Sequence, residues 1–353
     1  MRVGIAGAGL LGRLLAWRLA NAGHAVQAFD PAADARAPAV GRIGPGAPPH
    51  AAAFTAAGML SPLGELEHAA PGIAGLGWRS LARWREIASA LQAPALLRMN
   101  GSLFVAHPGD AGTEQRVLGR VQAGAAALAP ALRPQRLSAD ELAALEPALS
   151  PRLHAWHLPG EGQLLPRELL EALCAAAPSV RWHWNRRAEA VEPGALIVNG
   201  ERLRFDLAID TRGLGARDAL PLRAVRGELL WLHAPGVPLG RPLRLVHPRL
   251  RVYLVPRPGD IVVVGASEIE SEDRSPVSLR TALELMAAAH SVLPELAEAR
   301  VVHMETNLRP ALPDNAPRVH AECGLLRING LFRHGWLVAP ALVDDALEAI
   351  GDG

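Results

Sequence analysis

The chain has 353 residues, of which half are hydrophobic, and its 36 basic and 35 acidic residues give a net charge of +1. This length favours two domains, and the balanced charge argues against nucleic acid as a main partner. No apolar run in the sequence is long enough to span a bilayer. All 36 basic residues are arginine, which excludes a lysine Schiff base and lysine-bound pyridoxal phosphate. Cys174 and Cys323 match no metal-ligand spacing, so the sequence predicts no metal and two buried thiols.

The first thirty residues follow the order strand, glycine-rich turn, helix, strand and acid. Residues 2–6 form an apolar run that predicts a buried strand, and leucines at helical spacing predict a helix up to about Asn21. A second strand is predicted over 25–29, and Asp30 follows it. The turn carries glycines in G-x-G-x-x-G spacing at Gly7, Gly9 and Gly12. In this context the spacing predicts a dinucleotide site, although it does not distinguish FAD from NAD.

Each part of this pattern has a chemical reason. Gly7 allows a tight turn, Gly9 lets backbone amides approach a pyrophosphate, and Gly12 lets the helix pack closely on the strand. The phosphates then lie at the helix N-terminus, whose free N–H groups and positive dipole end favour an anion. Asp30 can accept hydrogen bonds from a ribose diol, and its charge would repel a 2′-phosphate. Because this module begins at residue 2 and leaves no room for a signal peptide, we expect a cytoplasmic protein.

The remaining elements are predicted in chain order from periodicity and turn residues. Residues 31–50 predict a loop, and 51–62 have small residues around Gly58 that either bring amides close to a flat ligand or begin a helix. Helices are predicted at 76–91, 114–128, 138–147, 166–177 and 279–293, and at the C-terminus. Strands are predicted within 100–107 and at 180–184, 195–198, 227–234, 251–257, 260–267 and 299–310.

Residues 204–218 repeat the order strand, glycine-bearing turn and helix start, which returns the chain to the opening sheet. The alternation predicts an α/β fold, in which a discontinuous Rossmann-like nucleotide domain contains a second, mostly antiparallel α+β domain inserted twice. The final segment adds a strand, a turn at 330–335 and a helix.

Seven motifs occur together, in order along nearly the whole chain. They are GAGLLG (7–12), AAGML (56–60), GQLLP (162–166), VRGELL (225–230), VYLVPR with VVVGAS (252–267), NLRP (307–310) and NGLFRHGWLVAP (329–340). In this order they resemble the flavin-dependent glycine and D-amino-acid oxidase superfamily, most closely the glycine oxidases of thiamine biosynthesis.

The resemblance implies a glutathione-reductase-type FAD-binding domain and FAD, held non-covalently, as the dinucleotide. It also implies oxidation of the α-amine of glycine or a small (D-)amino acid, with hydride transfer from Cα to flavin N5. The imino acid then hydrolyses, and O₂ is reduced to H₂O₂. On this basis, residues 1–76, 148–224 and 305–353 are predicted to form the FAD-binding domain, and 77–147 and 225–304 the substrate-binding domain.

The resemblance also implies roles for individual residues. A guanidinium in a partly desolvated pocket is a natural bidentate receptor for a carboxylate, and Arg309 occupies that place in the family's L-R-P motif. Tyr253 would donate its phenol hydrogen to the same carboxylate, and Arg333 would lie beside flavin and substrate. The amides of turn 330–335 would face the N1–C2=O edge of the flavin, and His334 is expected to be exposed or structural. The implied FAD contacts are Gly7, Gly9, Leu10, Leu11, Gly12, Asp30, Ala57, Gly58, Met59, Ala188, Arg309, Gly330, Leu331, Phe332, Arg333, His334 and Gly335.

Other functions remain open at this point. The lack of lysine removes the residue that sarcosine-oxidase-like relatives use to activate O₂, so a dehydrogenase with another electron acceptor is an alternative. An NAD(P)-dependent dehydrogenase would share the N-terminal module, and a flavin-binding regulatory protein would need no chemistry. Phe54, Asn307 and the pair Gly330-Leu331 depart from the family pattern near the expected substrate. The sequence leaves both the substrate and the oligomeric state open.

Overall fold

The computed structural model describes residues 1–40, 50–67, 71–128 and 133–351, so part of the predicted loop 31–50 lies outside the described residues. Within them the α-helices are α1 (Leu10–Asn21), α2 (Pro62–Glu65), α3 (Pro71–Ala90), α4 (Ala111–Leu128), α5 (Ala139–Leu145), α6 (Pro166–Ala175), α7 (Leu279–Val292) and α8 (Gly335–Ala349). The β-strands are β1 (Arg2–Ala6), β2 (Ala25–Asp30), β3 (Met59–Leu60), β4 (Leu97–Arg98), β5 (Ser102–Ala106), β6 (Gln135–Leu137), β7 (His154–Leu158), β8 (Gly162–Leu164), β9 (Arg181–Trp184), β10 (Ala188–Glu192), β11 (Ala195–Val198), β12 (Glu201–Arg204), β13 (Leu207–Asp210), β14 (Arg223–His233), β15 (Leu243–Val246), β16 (Arg251–Arg257), β17 (Ile261–Gly265), β18 (Ile269–Glu270), β19 (Arg300–Ala311), β20 (Arg318–Glu322) and β21 (Leu325–Asn329).

A six-stranded sheet in the order β20-β21-β13-β1-β2-β9 forms the nucleotide module. β1 pairs in parallel with β2 and β13, and β21 pairs in parallel with β13. This confirms the predicted return of residues 204–218 to the opening sheet. A short 3₁₀ turn over Gly213–Ala216 replaces the predicted helix start. The connection is short because Arg212 bridges Asp210 and Asp218 within one turn, before the chain enters β14.

The long helix α3 packs against the parallel sheet with one part of its surface and against β5 and α4 of the second module with another. Its Trp84 side chain is buried in the same core as Val3 and Ile5 of β1, and Trp84 Nε1 donates a hydrogen bond to the carbonyl of Trp336 in α8 at 2.7 Å. The amphipathic pattern of residues 76–91 predicts a buried face but does not identify its partner. The predicted domain division placed this helix, from residue 77 onwards, in the substrate-binding domain.

A nine-stranded sheet carries the second module. Its order is β18-β14-β17-β16-β15-β5-β7-β6, and β19 pairs along the whole of β14. All of these pairings are antiparallel except β15 with β5, in agreement with the predicted mostly antiparallel domain. One face of this sheet buries apolar side chains against α5 and α7, among them Leu230, Leu254 and Val264.

The other face of this sheet carries polar residues in one row. The strand register aligns Glu305 with Leu229, Leu229 with Gly265, Gly265 with Tyr253, and Tyr253 with Arg244. Because side chains alternate along a strand, residues in register across neighbouring strands share a face. The apolar core behind the sheet therefore fixes which side chains point the opposite way, towards the parallel sheet.

The predicted domain division remains a prediction, and its boundary between 304 and 305 falls inside the continuous strand β19. The helix predicted at 138–147 is present as α5, and Ser138 and Glu141 form a capping box at its N-terminus. Cys323 is exposed, not buried, because it lies in the turn between β20 and β21.

No helix among the described residues is both long and apolar enough to cross a membrane.

Candidate active site

A cavity of about 1490 Å³ is lined by residues of both the opening glycine turn and the polar face of the nine-stranded sheet. It is larger than the roughly 300–1,000 Å³ of most small-molecule sites, as a dinucleotide with a substrate beside it would require. Its lining includes most of the site residues that the sequence predicts: Gly7, Gly9, Leu10, Leu11, Asp30, Ala57, Gly58, Met59, Ala188, Tyr253, Arg309, Leu331, Phe332, Arg333, His334 and Gly335. Gly12 and Gly330 do not line the cavity, and they affect its shape only through the turns to which they belong.

The glycine turn has no room for side chains at two of its positions. A Cβ atom on Gly12 would lie 1.8 Å from the carbonyl oxygen of Gly7, and one on Gly7, whose φ is +96°, would lie 2.6 Å from the carbonyl oxygen of Thr211. The hydroxyl of Thr211 donates to the carbonyls of Ala6 and Gly7 at 3.0 and 2.9 Å. The turn is therefore fixed by backbone contacts, as close packing of helix and strand requires.

The N-terminus of α1 is open to an anion. Gly9 is its N-cap, no side chain caps it, and its first turn contains no acidic residue. Among the described residues, a Cβ on Gly9 would meet the Ala51 side chain at 3.5 Å, so this position tolerates a close approach to the helix end. Free amides and a positive dipole end suit a pyrophosphate, and this part of the cavity fits the dinucleotide.

Asp30 fixes the same turn. Its Oδ2 accepts a hydrogen bond from the Ala8 amide at 2.6 Å, and its Oδ1 accepts one from the Ala32 amide at 2.8 Å. Each carboxylate oxygen has a second lone pair, and the side chain lines the cavity. Asp30 can therefore bind a ribose diol while it holds the end of β2 against the glycine turn.

The turn before α8 closes the other end of the cavity. Gly330 and Phe332 have positive φ angles of +80° and +50°, and the Phe332 amide donates to the carbonyl of Pro310 at 2.9 Å. His334 is the N-cap of α8, whose first turn has no side-chain cap and no acidic residue. The His334 side chain is only 4% exposed, so the expectation of an exposed histidine is wrong and its structural alternative holds.

Arg309 and Tyr253 stand above two glycines of the sheet. A Cβ on Gly227 would lie 2.3 Å from Arg309 Nη2, and a Cβ on Gly265 would lie 2.7 Å from the Tyr253 hydroxyl. Arg309 Nη1 donates to the carbonyl of Ser267 at 3.0 Å. The missing side chains leave a recess in the sheet, and the two donors lie in that recess.

Arg309 differs from the other arginines around it in its charge partners. Among the described residues, every other half-buried or buried arginine of the lining has a carboxylate within 4.0 Å, as in the pairs Arg167–Glu305, Arg212–Asp210, Arg244–Glu65 and Arg333–Glu65. Arg309 has none. Burial lowers the pKa of Arg309, which Tyr253 and Glu268 oppose. A desolvated guanidinium without a counter-charge is a site prepared for an anionic ligand.

Tyr253 provides a neutral donor beside that guanidinium. Burial raises the pKa of the Tyr253 phenol, and the charge of Arg309 opposes this only in part. The hydroxyl therefore keeps its hydrogen at neutral pH. A guanidinium and a phenol together supply the donors that an α-carboxylate accepts.

The structure adds a charged cluster that the sequence did not predict. Glu65 of α2 contacts Arg244 of β15 at 2.5 Å and Arg333 at 3.1 Å, and its Oε2 lies 3.1 Å from His334 Nδ1. Burial opposes the charge of Glu65, but Arg244, His334 and Arg333 outweigh it and hold the pKa of this carboxyl well below its usual range. No motif marks Glu65, and Arg244 is one of 36 arginines.

A second polar cluster lines the cavity along β19. Glu305 accepts a hydrogen bond from Thr55 Oγ1 at 2.7 Å and lies 3.5 Å from both His50 and His303. Burial opposes its ionisation, but hydrogen bonds from His303, His50 and Thr55 lower the pKa of Glu305 to about 2. Asn307 donates to Thr55 at 2.9 Å. Polar side chains at every second position of a predicted strand are the signal in the sequence that could have identified this face.

The chain matches one protein family over nearly its whole length. The family model described as DAO, FAD dependent oxidoreductase, matches residues 2–344. A putative thiamine biosynthesis oxidoreductase ThiO from Rhizobium etli is 35% identical over 352 residues, which is 99% of this chain and 96% of that protein. The crystal structure of glycine oxidase from Geobacillus kaustophilus has a TM-score of 0.80 at 25% identity, over 98% of this chain and 95% of that chain.

The fold extends to another solved oxidase. Iminodiacetate oxidase from Chelativorans sp. BNC1 has a TM-score of 0.80 at 24% identity, with 100% of this chain and 96% of that chain covered. The family model spans nearly the whole chain, and the glycine turn with its open helix end suits a dinucleotide. The chain therefore belongs to the DAO family of FAD-dependent oxidoreductases.

Proposed function

We propose that this protein oxidises the α-amine of glycine or a small (D-)amino acid, and that Arg309 and Tyr253 bind the substrate's α-carboxylate. The observation that carries this proposal is the lack of a carboxylate partner for Arg309 among the described residues, although every other half-buried or buried arginine of the lining has one. The name of the relative from Geobacillus kaustophilus, glycine oxidase, supports the same class of substrate.

FAD fits the cavity through the glycine turn, the open end of α1 and the turn before α8. Gly7, Gly9, Leu10, Leu11 and Asp30 would hold its nucleotide end, and residues 330–335 its other end. When bound, FAD supplies a two-electron oxidant for the C–N bond of an amine. The uncapped N-terminus of α8 would stabilise negative charge that develops next to it.

The protein's own contribution is to orient the substrate. Arg309 can donate two parallel hydrogen bonds to a carboxylate, and Tyr253 adds a third donor from the neighbouring part of the recess. Both groups are donors, and neither accepts a proton from the amine. Fixing the carboxylate at two donors restricts the Cα of a small substrate to one orientation, which is the main requirement of such a transfer.

We further propose O₂ as the electron acceptor, with H₂O₂ and an imino acid as products and hydrolysis of the imine to a keto acid and ammonia. Electrons balance because one substrate loses two electrons and one O₂ gains two with two protons. A dehydrogenase that reduces a quinone or a dye instead is the other outcome that the assay must separate.

The test begins with the absorbance spectrum of the purified holoenzyme. Glycine, sarcosine and D-alanine are added anaerobically, and bleaching of the flavin bands by one of them identifies the substrate. Air is then admitted, and H₂O₂ is measured against reduction of an added dye. A flavin that no amino acid bleaches would contradict the proposed substrate class, and re-oxidation by dye but not by O₂ would contradict the oxidase.

The role of Arg309 is tested by Arg309→Ala in the same assay. Loss of one partner of a buried charge pair costs about 2–5 kcal/mol, so KM for the substrate should rise by at least roughly thirtyfold with the FAD content unchanged. Arg280→Ala is the matched control, because Arg280 lies on the outer face of α7 with 85% of its side chain exposed. An unchanged KM in Arg309→Ala would remove Arg309 from the binding site.

A further inference from the structure

Glu65 is a buried carboxylate at the substrate end of the cavity, and its partners come from two other parts of the chain. Arg244 belongs to β15, whereas Arg333 and His334 belong to the turn before α8. Arg244 and Arg333 both line the cavity, as Glu65 does. One carboxylate thus forms ion pairs with two guanidiniums that line the cavity.

Arg244 lies next to the proposed carboxylate receptor. It is in register with Tyr253 on the neighbouring strand, so both side chains leave the same face of the sheet. Glu65 forms the ion pair with Arg244, and the carboxylates of Glu67 and Glu161 add to the negative charge around this guanidinium. Arg333 has a second contact, 3.4 Å from Glu268, whose side chain is 32% exposed.

A second buried carboxylate fixes the position of Glu65. Glu161 is fully buried and accepts hydrogen bonds from the amides of Leu63 and Gly64 at 2.7 and 3.2 Å. It also accepts from the hydroxyls of Ser61 and Ser102, each at 2.5 Å. These bonds fix the short helix α2, so Glu65 meets its cations before any substrate arrives.

We propose that Glu65 determines substrate specificity. By neutralising Arg244 and Arg333, Glu65 leaves Arg309 as the guanidinium that binds a carboxylate. The cavity is thereby restricted to amines with a single carboxylate. This inference rests on the proposed function. A second carboxylate on the substrate would meet the charge of Glu65 and would find both neighbouring guanidiniums occupied. Discrimination of this kind depends on a repulsive group in the site as much as on an attractive one.

The experiment measures ligand binding to the oxidised holoenzyme without turnover. Acetate and malonate are titrated separately, and binding is followed by the perturbation of the flavin absorbance. The wild-type protein should prefer acetate. In Glu65→Gln, which has the same shape without the charge, the preference should shift towards malonate by about tenfold or more, because two guanidiniums become available. A ratio that stays constant while both affinities fall would overturn the inference, since it would mean that Glu65 acts only in packing.

A second variant tests the sign of the effect. Arg244→Met removes a cation and leaves the charge of Glu65 less compensated, so the preference for acetate over malonate should increase. A purely structural role gives no reason for two substitutions in one pair to move the ratio in opposite directions. A shift of the ratio in the same direction in both variants would therefore contradict the inference. If Glu65→Gln is too unstable to titrate, a shift towards malonate in Arg244→Met alone would contradict it.

Two controls separate this inference from the proposed function. Glu146→Gln removes another buried carboxylate, which lies 2.9 Å from Arg241. Neither residue lines the cavity, so this variant should leave the ratio unchanged. Arg309→Ala should weaken acetate binding by at least roughly thirtyfold. An unchanged acetate affinity in Arg309→Ala would contradict the proposed function itself, whereas an unchanged ratio in Glu65→Gln with normal Arg309 behaviour would contradict only the role of Glu65. In turnover, Glu65→Gln should gain activity on iminodiacetate relative to glycine.

Discussion

The guanidinium of Arg309 on β19 lies directly above the backbone of Gly227 on β14. A Cβ atom at Gly227 would approach Arg309 Cζ to 2.4 Å and Nη2 to 2.3 Å. Both strands continue past this point with normal pairing between Gly227 and Asn307, so the glycine serves neither a turn nor a bulge. It makes space for the arginine.

Gly227→Ala should therefore move the guanidinium without unfolding the sheet, because the obstructed group is the end of a flexible side chain. We expect kcat/KM for the amino acid to fall about tenfold to a hundredfold, with FAD content and thermal stability close to those of the wild type. Steady-state kinetics check this. Gly119→Ala on α4 is the control, because a Cβ there meets nothing within 4 Å. Unchanged kinetics in Gly227→Ala would mean that Arg309 tolerates displacement and does not fix the substrate.

Alanine substitutions of Gly9 and Gly12 in the opening motif should impair the protein in different ways. Gly12→Ala forces a Cβ to within 1.8 Å of a backbone oxygen, so the apoprotein should lose thermal stability and purify without FAD. Gly9→Ala has room in the apoprotein and should keep its stability, while FAD binding weakens because the backbone can no longer approach the pyrophosphate. Melting curves of both apoproteins, with FAD titrations, distinguish the two. Equal loss of stability in both variants would contradict this division.

Tyr253→Phe should weaken carboxylate binding by a constant factor across neutral and mildly alkaline pH. A hydrogen bond to a charged group contributes about 1.5–3 kcal/mol, which is roughly tenfold to a hundredfold in affinity. Because burial raises the pKa of Tyr253 above its ordinary value of 10.0, the phenol stays a donor throughout. Acetate titrations of both proteins from about pH 7 to about pH 9 test this. A difference that disappears towards the upper end would mean that Tyr253 ionises within that range.

Glu305 should make stability depend on acid. Its pKa in the folded protein is about 2, against 4.5 as a reference, so its contribution is complete above about pH 4.5 and is lost as the pH falls towards 2. Glu305→Gln should lower the free energy of unfolding at neutral pH by up to about 3 kcal/mol, and the difference should shrink below pH 4.5. Urea unfolding at several pH values measures it, with the exposed Glu284→Gln as control. A difference that is independent of pH would contradict the assigned cause.

The parts of the fold that local geometry determines were predictable. The glycine turn, the strands around it and the capping box at Ser138 depend on residues close in sequence. The charged clusters depend on which strands become neighbours and in what register, and no short window contains that information. Arg244 comes beside Tyr253 only through the pairing of β15 with β16, and Glu65 meets Arg333 across 268 residues of chain. The partner of α3 was missed for the same reason.

All of residues 303–310 of β19 border the cavity, but side chains alternate along a strand, so those of His303, Glu305, Asn307 and Arg309 share one face while Met304 packs against the apolar core behind the sheet. Loss or gain of one residue here would exchange the two sets, because register has a period of two. Charged groups would enter the core, and the cavity would lose both Arg309 and Glu305. During evolution this strand can therefore change its side chains one at a time, and new substrate preferences can arise that way, but its length is not free to drift as that of a surface loop is.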